Sequence, residues 1–352
     1  MSQHDENSGP EGYDVPAVEA WVEQNVDALR PPFKWTRLVG GHSNLTYLIE
    51  DTNGERAVIR RPPQGQLLPK AHDMSREWSI ISSLGETDVP VAKAIAFCES
   101  PDVTGAWFYI MGCVDGQALY EAADSEQRVP IAMRPTLAWS FVDVLADLHA
   151  VDPDAVGLGD LGKKDSYVGR QLLTWYRSWT SSVDDAQLDD ERAHSLQKYL
   201  TEHLPEQGPA RVAHGDYGLH NCLIGADCTV AAVVDWEIST LGDPLADLAY
   251  ALNQWAEPDD EMPVRDGAPT SVPGYPTRAQ LAARYAERTG RDLSHLGYYT
   301  GFNWWKSACI VHGVYARYKA GKKSTDGVDL EGLGERIGRY LTLSERAINS
   351  SS

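Results

Sequence analysis

The residues best suited to chemistry lie in two short stretches, HGDYGLHN at positions 214–221 and VVDWE at positions 233–237. Asn221 follows Asp216 by five residues, and Asp235 ends the next apolar run. In phosphoryl transfer, one aspartate accepts the proton of the attacking hydroxyl, while an asparagine and a second aspartate hold Mg²⁺ on the phosphate oxygens. Oxygen ligands suit Mg²⁺, which takes few protein ligands. The spacing therefore predicts Asp216 as catalytic base, with Asn221 and Asp235 as metal ligands.

The alternative is that Asp216 and Asn221 are capping residues, which are common at turns. Two short apolar runs at 222–224 and 230–234 predict a hairpin between Asn221 and Asp235. The shared spacing and this intervening hairpin favour the catalytic interpretation over the capping one.

Strand patterns dominate the part of the chain before position 112. Strands are predicted at 36–39, 45–50, 56–60, 91–97 and 107–111, and helices at 15–29 and 72–84. Five strands with one helix inserted after the third make a small lobe.

Helical patterns dominate the rest of the chain. Helices are predicted at 135–149, 167–179, 190–203, 245–255, 278–288, 296–320 and 330–347. Residues 257–276, called the acidic segment below, form a long Pro-, Gly- and Asp-rich loop, and loops of such length are often functional. The predicted organisation is a tail and short helix (1–34), a nucleotide-binding lobe (35–111), a hinge (112–114) and a helical lobe with the catalytic loop and substrate site (115–352).

The chain resembles the aminoglycoside phosphotransferase superfamily, which also holds choline and macrolide kinases. HGDxxxxN followed by a hydrophobic strand ending in Asp is that family's signature. The run WEISTLGDPLAD at 236–247 is similar to a narrower branch, which contains the kinase-like domain fused to certain acyl-CoA dehydrogenases and many stand-alone bacterial proteins. The resemblance extends from about residue 38 to 318. It implies an α+β, two-lobed, protein-kinase-like fold with a five-stranded antiparallel sheet, and it implies ATP and Mg²⁺ as cofactors.

The resemblance gives Asp216 the role of base, and it gives Asn221 and Asp235 the role of Mg²⁺ ligands. Asp243 and Asp247 are expected to be structural, because Asp243 precedes a proline at a helix start, where a carboxylate caps free N–H groups.

Two positions of the motif itself need separate interpretation. His214 is expected to brace the catalytic loop. Gly218 stands where the family often has arginine, which bears on substrate contacts near the loop.

A glycine-rich turn between the first two strands is the expected phosphate cradle, because its backbone N–H groups could form an anion-binding nest. A simple Gly-Gly hairpin turn is the alternative. The cradle residues are Gly40, Gly41, His42, Ser43 and Asn44.

The third strand carries the expected phosphate-binding cation. Val58 and Arg60 share one face of that strand by its two-residue period, so Arg60 points where kinases carry the lysine of V-A-I-K. Arg61 points the other way. Glu77, on the following helix, is the expected ion-pair partner of Arg60, and a solvated surface residue is the alternative.

The hinge is expected to bind adenine through backbone groups of Met111 and Cys113. Gly112 lies between them, at a position where relatives carry an acidic residue.

Composition excludes several other classes of protein. A net charge of −20 disfavours nucleic acid or an anionic membrane as partner, since both reward a basic surface. No apolar run reaches the roughly 18–20 residues of a membrane span, and the polar, acidic residues 1–16 do not fit a signal peptide. We therefore expect a cytoplasmic protein. The five cysteines lack CxxC spacing and predict reduced thiols.

The expected reaction is transfer of the γ-phosphoryl group of ATP to a hydroxyl of a small molecule. The branch resemblance implies a hydroxyacyl acceptor. Aminoglycoside or macrolide antibiotics are the alternative, because the acidic segment holds five acids against one arginine and could attract a cation. The alternative that is not an enzyme is a catalytically silent regulatory module that binds nucleotide. Basic residues at 317–323 suit a helix C-terminus or a contact with an anionic substrate tail.

Overall fold

The computed structural model describes residues 9–38, 44–64 and 73–350. The chain divides into two compact units. The first comprises Met1–Gln117 and Ala231–Glu237, and the second comprises Ala118–Val230 and Ile238–Ser352.

The first unit is built on a five-stranded antiparallel sheet with the strand order β1-β2-β3-β5-β4. Its elements are α1 (Val15–Asn25), β1 (Lys34–Arg37), β2 (Leu45–Glu50), β3 (Arg56–Arg61), α2 (Met74–Leu84), β4 (Ala94–Cys98) and β5 (Phe108–Gly112). The prediction of five strands with one helix after the third is confirmed.

Strand β2 shows why this sheet forms, since its residues alternate strictly between buried and half-buried positions. One face packs on α1, whose Val18 and Val22 join a core with Ile49 and Ile59. Helix α1 is shorter than the predicted 15–29, because the chain turns to an extended conformation at Val26.

The second unit is mainly helical. Its helices are α3 (Ala122–Arg128), α4 (Arg134–Ala150), α5 (Tyr167–Ala186), α6 (Glu191–Glu202), α7 (Pro244–Gln254), α8 (Arg278–Thr289), α9 (Leu296–Lys319) and α10 (Leu330–Asn349), with 3₁₀ turns at Ile131–Met133 and Leu219–Asn221. Its short strands are β6 (Arg211–Ala213), β7 (Cys222–Ile224) and β9 (Thr240–Gly242), while β8 (Val230–Val233) crosses from the second unit into the first.

Helix α9 is the centre of the second unit. Its aromatic residues Phe302 and Trp305 are fully buried together with Trp179 of α5. Gly301 allows α10 to approach closely, because a Cβ at this position would lie 2.7 Å from Ile348 Cγ1.

Strands β6 and β9 pair antiparallel, with Val212 opposite Leu241. This pairing was not predicted, since each strand has only three residues. It brings the chain that follows β6, which is the loop predicted to be catalytic, beside the chain that follows β9, which begins α7. The predicted β7–β8 turn is present, with Gly225 N–H donating to the carbonyl of Thr229.

Two further differences from the sequence prediction concern helices. Helix α3 was not predicted from the sequence. Helix α5 continues to Ala186, seven residues past the predicted end at Trp179, although Ser and Asp favour turns over helices. The Ser182 hydroxyl donates back to the Ser178 carbonyl at 2.8 Å and so stays within the helical hydrogen-bond pattern. Ala186 is buried at the helix end.

The acidic segment contains neither helix nor strand, as expected. None of the five cysteines, all of which lie in the described residues, forms a disulfide. Among the residues described, no helix combines the length and the hydropathy required to cross a membrane.

Candidate active site

Arg60 and Glu77 form a close ion pair in the first unit, as the strand period predicted. Arg60 lies on β3, and its Nε is 3.0 Å from Glu77 Oε2 on α2. The Nε–H does not point along a hydrogen bond to that oxygen, so the contact is mainly electrostatic. Arg60 Nη2 also lies 3.2 Å from Asp235 Oδ1. Burial alone would lower the pKa of Arg60, but the charges of Glu77 and Asp235 raise it above its usual value.

Glu77 is buried, and each of its two carboxylate oxygens accepts a hydrogen bond. It accepts hydrogen bonds from the Tyr109 hydroxyl at 2.8 Å and from Asn44 Nδ2 at 3.2 Å. Burial raises the pKa of Glu77 above its usual value, although Arg60 and Tyr109 oppose the rise. The side chain of Asn44 thus braces Glu77. The other predicted cradle residues, Gly40, Gly41, His42 and Ser43, lie outside the described residues.

Asp235 belongs to the short piece of chain that returns to the first unit. Val233 N–H donates to the Pro90 carbonyl at 2.8 Å and ties this piece to the unit. Asp235 has a φ of 65°, a left-handed conformation that is uncommon for residues other than glycine. Such strain collects at functional sites, where the surrounding structure must hold it. It turns the carboxylate of Asp235 toward Arg60.

The predicted hinge residues lie at the end of β5. Met111 is paired with Val58 of β3. Gly112 is the last residue of the strand, and its N–H donates to the Lys93 carbonyl at 2.8 Å. Cys113 follows directly and is half-buried.

Asp247 of α7 anchors the start of the catalytic loop in the second unit. Its carboxylate accepts the backbone N–H groups of His214 at 2.7 Å and Gly215 at 2.9 Å. Gly215 has a φ of 85°, and a Cβ there would lie 3.3 Å from Ile238, so the turn requires glycine. Asp243 caps α7 by accepting the Leu245 N–H at 3.0 Å. The structural roles expected for both aspartates are confirmed.

Asp216 has hydrogen-bonding neighbours at both carboxylate oxygens. Oδ1 accepts from the Tyr250 hydroxyl and lies 3.3 Å from His220 Nε2. Oδ2 accepts from Asn221 Nδ2 at 3.1 Å, and the Asp216 N–H donates to His214 Nδ1 at 3.3 Å. The brace predicted for His214 is therefore present.

These contacts set the ionisation of Asp216. Burial raises its pKa, but the hydrogen bond and charge of His220, with the Tyr250 hydroxyl, outweigh burial, so the pKa lies below its usual value. About a third of the side chain, 34%, remains exposed. The carboxylate is therefore ionised near neutral pH and accessible.

Gly218 explains how His220 reaches Asp216. A Cβ at position 218 would lie 2.6 Å from His220 Cε1, so a larger residue such as the family's arginine would displace this ring. The sequence motif did not identify His220 as a neighbour of Asp216. The only available signal was the combination of a glycine and a histidine inside the motif.

Asn221 closes the 3₁₀ turn and is buried. Its Nδ2 donates to the Asp216 carbonyl at 2.9 Å as well as to Oδ2. Because both bonds use the amide nitrogen, the amide oxygen is the atom suited to a metal. Amide and carboxylate oxygens fit Mg²⁺. Within the part of the chain that the structure describes, no three His, Cys, Asp or Glu side chains gather as a metal site.

Sequence reasoning also missed Tyr250 and Lys306. Lys306 is buried on α9, with its Nζ 5.6 Å from the Tyr250 ring centroid. Burial lowers the pKa of Lys306, while Asp247 and Asp216 oppose this shift. Asp216, Tyr250 and the buried Lys306 thus form one polar cluster, and no spacing rule connects them in sequence.

Known proteins with similar sequence or fold were compared with this chain. Acyl-CoA dehydrogenase family member 11 of Rattus norvegicus is 31% identical over 324 residues, which cover 89% of this chain and 41% of that protein. The chain therefore spans less than half the length of this curated relative. A solved structure from Ralstonia eutropha JMP134, provisionally described as an aminoglycoside phosphotransferase, has 30% identity and a TM-score of 0.76, and the match covers 95% of this chain and 99% of that one.

A more distant structure shares the fold. An aminoglycoside phosphotransferase solved as a ternary complex with ADP and hygromycin B has 15% identity and a TM-score of 0.57, with coverage of 94% and 98%. The two-lobed, kinase-like α+β fold is thus established. Residues 34–284, which include both motif stretches, match the profile of the phosphotransferase enzyme family, and the chain belongs to that family.

Proposed function

We propose that this protein is an ATP- and Mg²⁺-dependent kinase that transfers the γ-phosphoryl group to a hydroxyl of a small molecule. The observation that carries the proposal is the state of Asp216. It occupies the base position of the family motif, its pKa is held below the usual value, and its side chain is partly exposed. An ionised, accessible and oriented carboxylate is what proton abstraction requires.

Asp216 acts as the general base. It accepts the proton of the acceptor hydroxyl as the acceptor oxygen bonds to the γ-phosphorus, and the bond from that phosphorus to the bridging oxygen breaks to leave ADP. Tyr250 and His220 both approach Oδ1, so their contacts fix the plane of the carboxylate. Oδ2 has the single side-chain donor Asn221. We assign proton acceptance to Oδ2 for this reason.

Arg60 is the proposed phosphate-binding cation. Arginine stays charged and can present two N–H groups to one phosphate. Glu77 positions it, while Asn44 and Tyr109 hold Glu77 in turn. The backbone of residues 40–44 is the proposed phosphate cradle, and that of Met111 and Cys113 the proposed adenine contact.

Asn221 and Asp235 are the proposed Mg²⁺ ligands, through their side-chain oxygens. A bound Mg²⁺ would neutralise charge on the phosphate oxygens. Asp235 is already turned toward Arg60 by its left-handed backbone, so phosphate cation and metal ligand lie together in the first unit.

The proposed acceptor is a hydroxylated acyl compound. Support comes from the similarity to acyl-CoA dehydrogenase family member 11, which covers 89% of this chain. This support concerns the acceptor alone, since phosphoryl transfer itself follows from the motif and the family.

The test is ATP consumption with a panel of hydroxylated acyl compounds and aminoglycosides, using the wild type and Asp216→Asn. The variant should lose on the order of 10²–10⁴ in kcat with ATP binding nearly intact, because the base acts on the acceptor. Asp184→Asn, on the exposed face of α5, is the matched control. If Asp216→Asn kept more than half of the wild-type kcat, Asp216 would not be the base. ATP binding without turnover of any acceptor would instead support the silent regulatory module.

A further inference from the structure

The acidic segment is less negative than its sequence suggests. Arg278 pairs with both Asp260, with Nη1 at 3.1 Å, and Glu257, with Nε at 3.2 Å. Arg346 of α10 pairs with Glu261 at 3.2 Å. Three of the five acids thus have arginine partners from the helices around them. The charge of this segment therefore gives little support to a cationic acceptor.

Three arginines in the same region have no such partner. Arg265, Arg336 and Arg339 make no ion pair within 4 Å among residues 9–38, 44–64 and 73–350. Arg265 Nη2 donates to the Tyr120 carbonyl at 2.5 Å, and Arg339 Nη1 donates to the Pro263 carbonyl at 3.4 Å. None of the three therefore has a carboxylate within ion-pair distance in the part of the chain that the structure describes, although the whole chain carries a net charge of −20.

Arg336 and Arg339 lie beside Tyr340 on α10, and Arg265 belongs to the acidic segment that Arg339 contacts. Arg336 precedes Tyr340 by one turn of α10, and Arg339 is its direct neighbour. Arg339 also contacts the acidic segment two residues before Arg265. Burial raises the pKa of Tyr340, and Arg336, Arg339 and Arg265 all oppose the rise, as expected for cations near the hydroxyl. Like charges gathered in this way repel one another unless an anion lies between them.

This arginine cluster borders the catalytic loop. Arg265 lines a small cavity together with Gly218 and His220, and His220 lies 3.3 Å from Asp216 Oδ1. Arg265 therefore connects the cluster to the loop that carries Asp216.

We propose that Arg265, Arg336 and Arg339 form an anion-binding subsite for the acceptor, which takes a carboxylate or phosphate group of that molecule. The proposal rests on the kinase function proposed above. Guanidinium groups suit this role because they stay charged and bind such oxygens with two parallel hydrogen bonds. The acceptor would then carry its hydroxyl to Asp216 while its anionic group lies on the arginines.

Binding is measured first, by calorimetry, with three probes that differ in charge. Coenzyme A carries phosphates, 3-hydroxybutyrate carries a carboxylate, and the 3-hydroxybutyryl thioester of pantetheine carries neither. Each of Arg336→Gln and Arg339→Gln should weaken anion binding about tenfold, as expected for one charge-assisted hydrogen bond, and leave the neutral probe unchanged. Loss confined to coenzyme A identifies phosphate as the bound group, and loss confined to 3-hydroxybutyrate identifies carboxylate.

Arg317→Gln is the control, since Arg317 is exposed in the other basic cluster, at the end of α9. The proposal is overturned if neither anion binds the wild type, if the variants bind like the wild type, or if Arg317→Gln weakens binding equally. An equal loss with the neutral probe also overturns it, because the arginines would then only shape a pocket.

Kinetics separate this proposal from the kinase function. Arginine-dependent anion binding without phosphorylation of any acceptor would refute the kinase function and leave the subsite standing. Phosphorylation of an anionic acceptor with the same KM in the wild type and in both variants would refute the subsite and leave the kinase standing. The KM for ATP should not change in either variant.

Discussion

Replacing Glu77 by alanine should cost more folding stability than replacing Arg60 by alanine, although Arg60 should matter more for ATP. The two side chains form one ion pair but have different other contacts. Glu77 is 2% exposed, accepts hydrogen bonds from Tyr109 and Asn44, and pairs electrostatically with Arg60. Arg60 has Asp235 as a second partner. The loss of Glu77 therefore leaves two buried donors without their acceptor and Arg60 without its nearer carboxylate, while the loss of Arg60 leaves Glu77 with two donors.

The expected magnitudes follow from these contacts. Removing one partner of a buried ion pair costs about 3–5 kcal/mol, and an unsatisfied buried donor costs about 1–3 kcal/mol. Glu77→Ala removes the ion pair and leaves two buried donors without an acceptor. Because Asp235 keeps part of the interaction with Arg60, we expect a loss of about 4–5 kcal/mol of folding stability. Arg60→Ala should cost less, about 2–3 kcal/mol, because the buried carboxyl of Glu77 can take up a proton.

The pH dependence provides a second test of the same contact. The pKa of Glu77 is raised by burial, and it should rise further without Arg60. A carboxyl whose pKa is higher in the folded than in the unfolded state binds its proton more tightly when folded. Its protonation then favours folding at low pH, and this contribution is lost as pH rises through the folded pKa. The loss of folding stability in Arg60→Ala relative to the wild type should therefore become smaller as pH falls toward the usual pKa of glutamate.

The assay is urea unfolding followed by tryptophan fluorescence, since Trp78 adjoins Glu77 and stacks on Phe97 at 5.6 Å. Glu77→Gln is the control that keeps the shape and one acceptor. In parallel, the KM for ATP should rise strongly in Arg60→Ala and mildly in Glu77→Ala, with the double variant no worse than Arg60→Ala. A stability loss for Arg60→Ala that equals that of Glu77→Ala and does not change with pH would refute this reasoning. Strictly additive KM effects would also refute it.

Two further predictions concern the base and the metal. Tyr250→Phe should lower kcat and move the acid limb of its pH profile to higher pH, because loss of a hydrogen bond to Asp216 raises the pKa of that carboxyl; an equal loss of kcat at every pH between 4 and 8 would contradict this role. Asp235→Ala should remove the extra thermal stabilisation that Mg²⁺ adds to ATP binding in the wild type. Equal shifts with and without Mg²⁺ in both proteins would rule out the metal assignment.

Local periodicity was enough to predict the elements of the first unit. The bounds of β2 agree with the predicted 45–50, because a strand with one face on the core alternates cleanly. The same two-residue period predicted that Arg60, and not Arg61, would meet Glu77. Glu77 could be predicted because it lies on the first helix predicted after the third strand.

The surroundings of Asp216 could not be predicted in this way. Tyr250 reaches the base because β6 and β9 pair and bring α7 beside the catalytic loop. Strands of three residues carry no usable periodic signal, and their partners lie almost thirty residues apart in sequence. Likewise the ion pairs of Arg278 and Arg346 neutralise acids that look free in the sequence. Long-range pairing decided both outcomes.

Gly218 and Arg265 together show how an arginine can lie near His220 without displacing it. An arginine at position 218 would need the space that His220 occupies, since even a Cβ there would lie 2.6 Å from the ring. His220 uses this space to approach Asp216 and helps to keep its pKa low. Arg265 of the acidic segment lines a small cavity together with Gly218 and His220. A positive charge can thus lie beside the loop while the histidine stays on the base, so the glycine is compatible with an anionic acceptor.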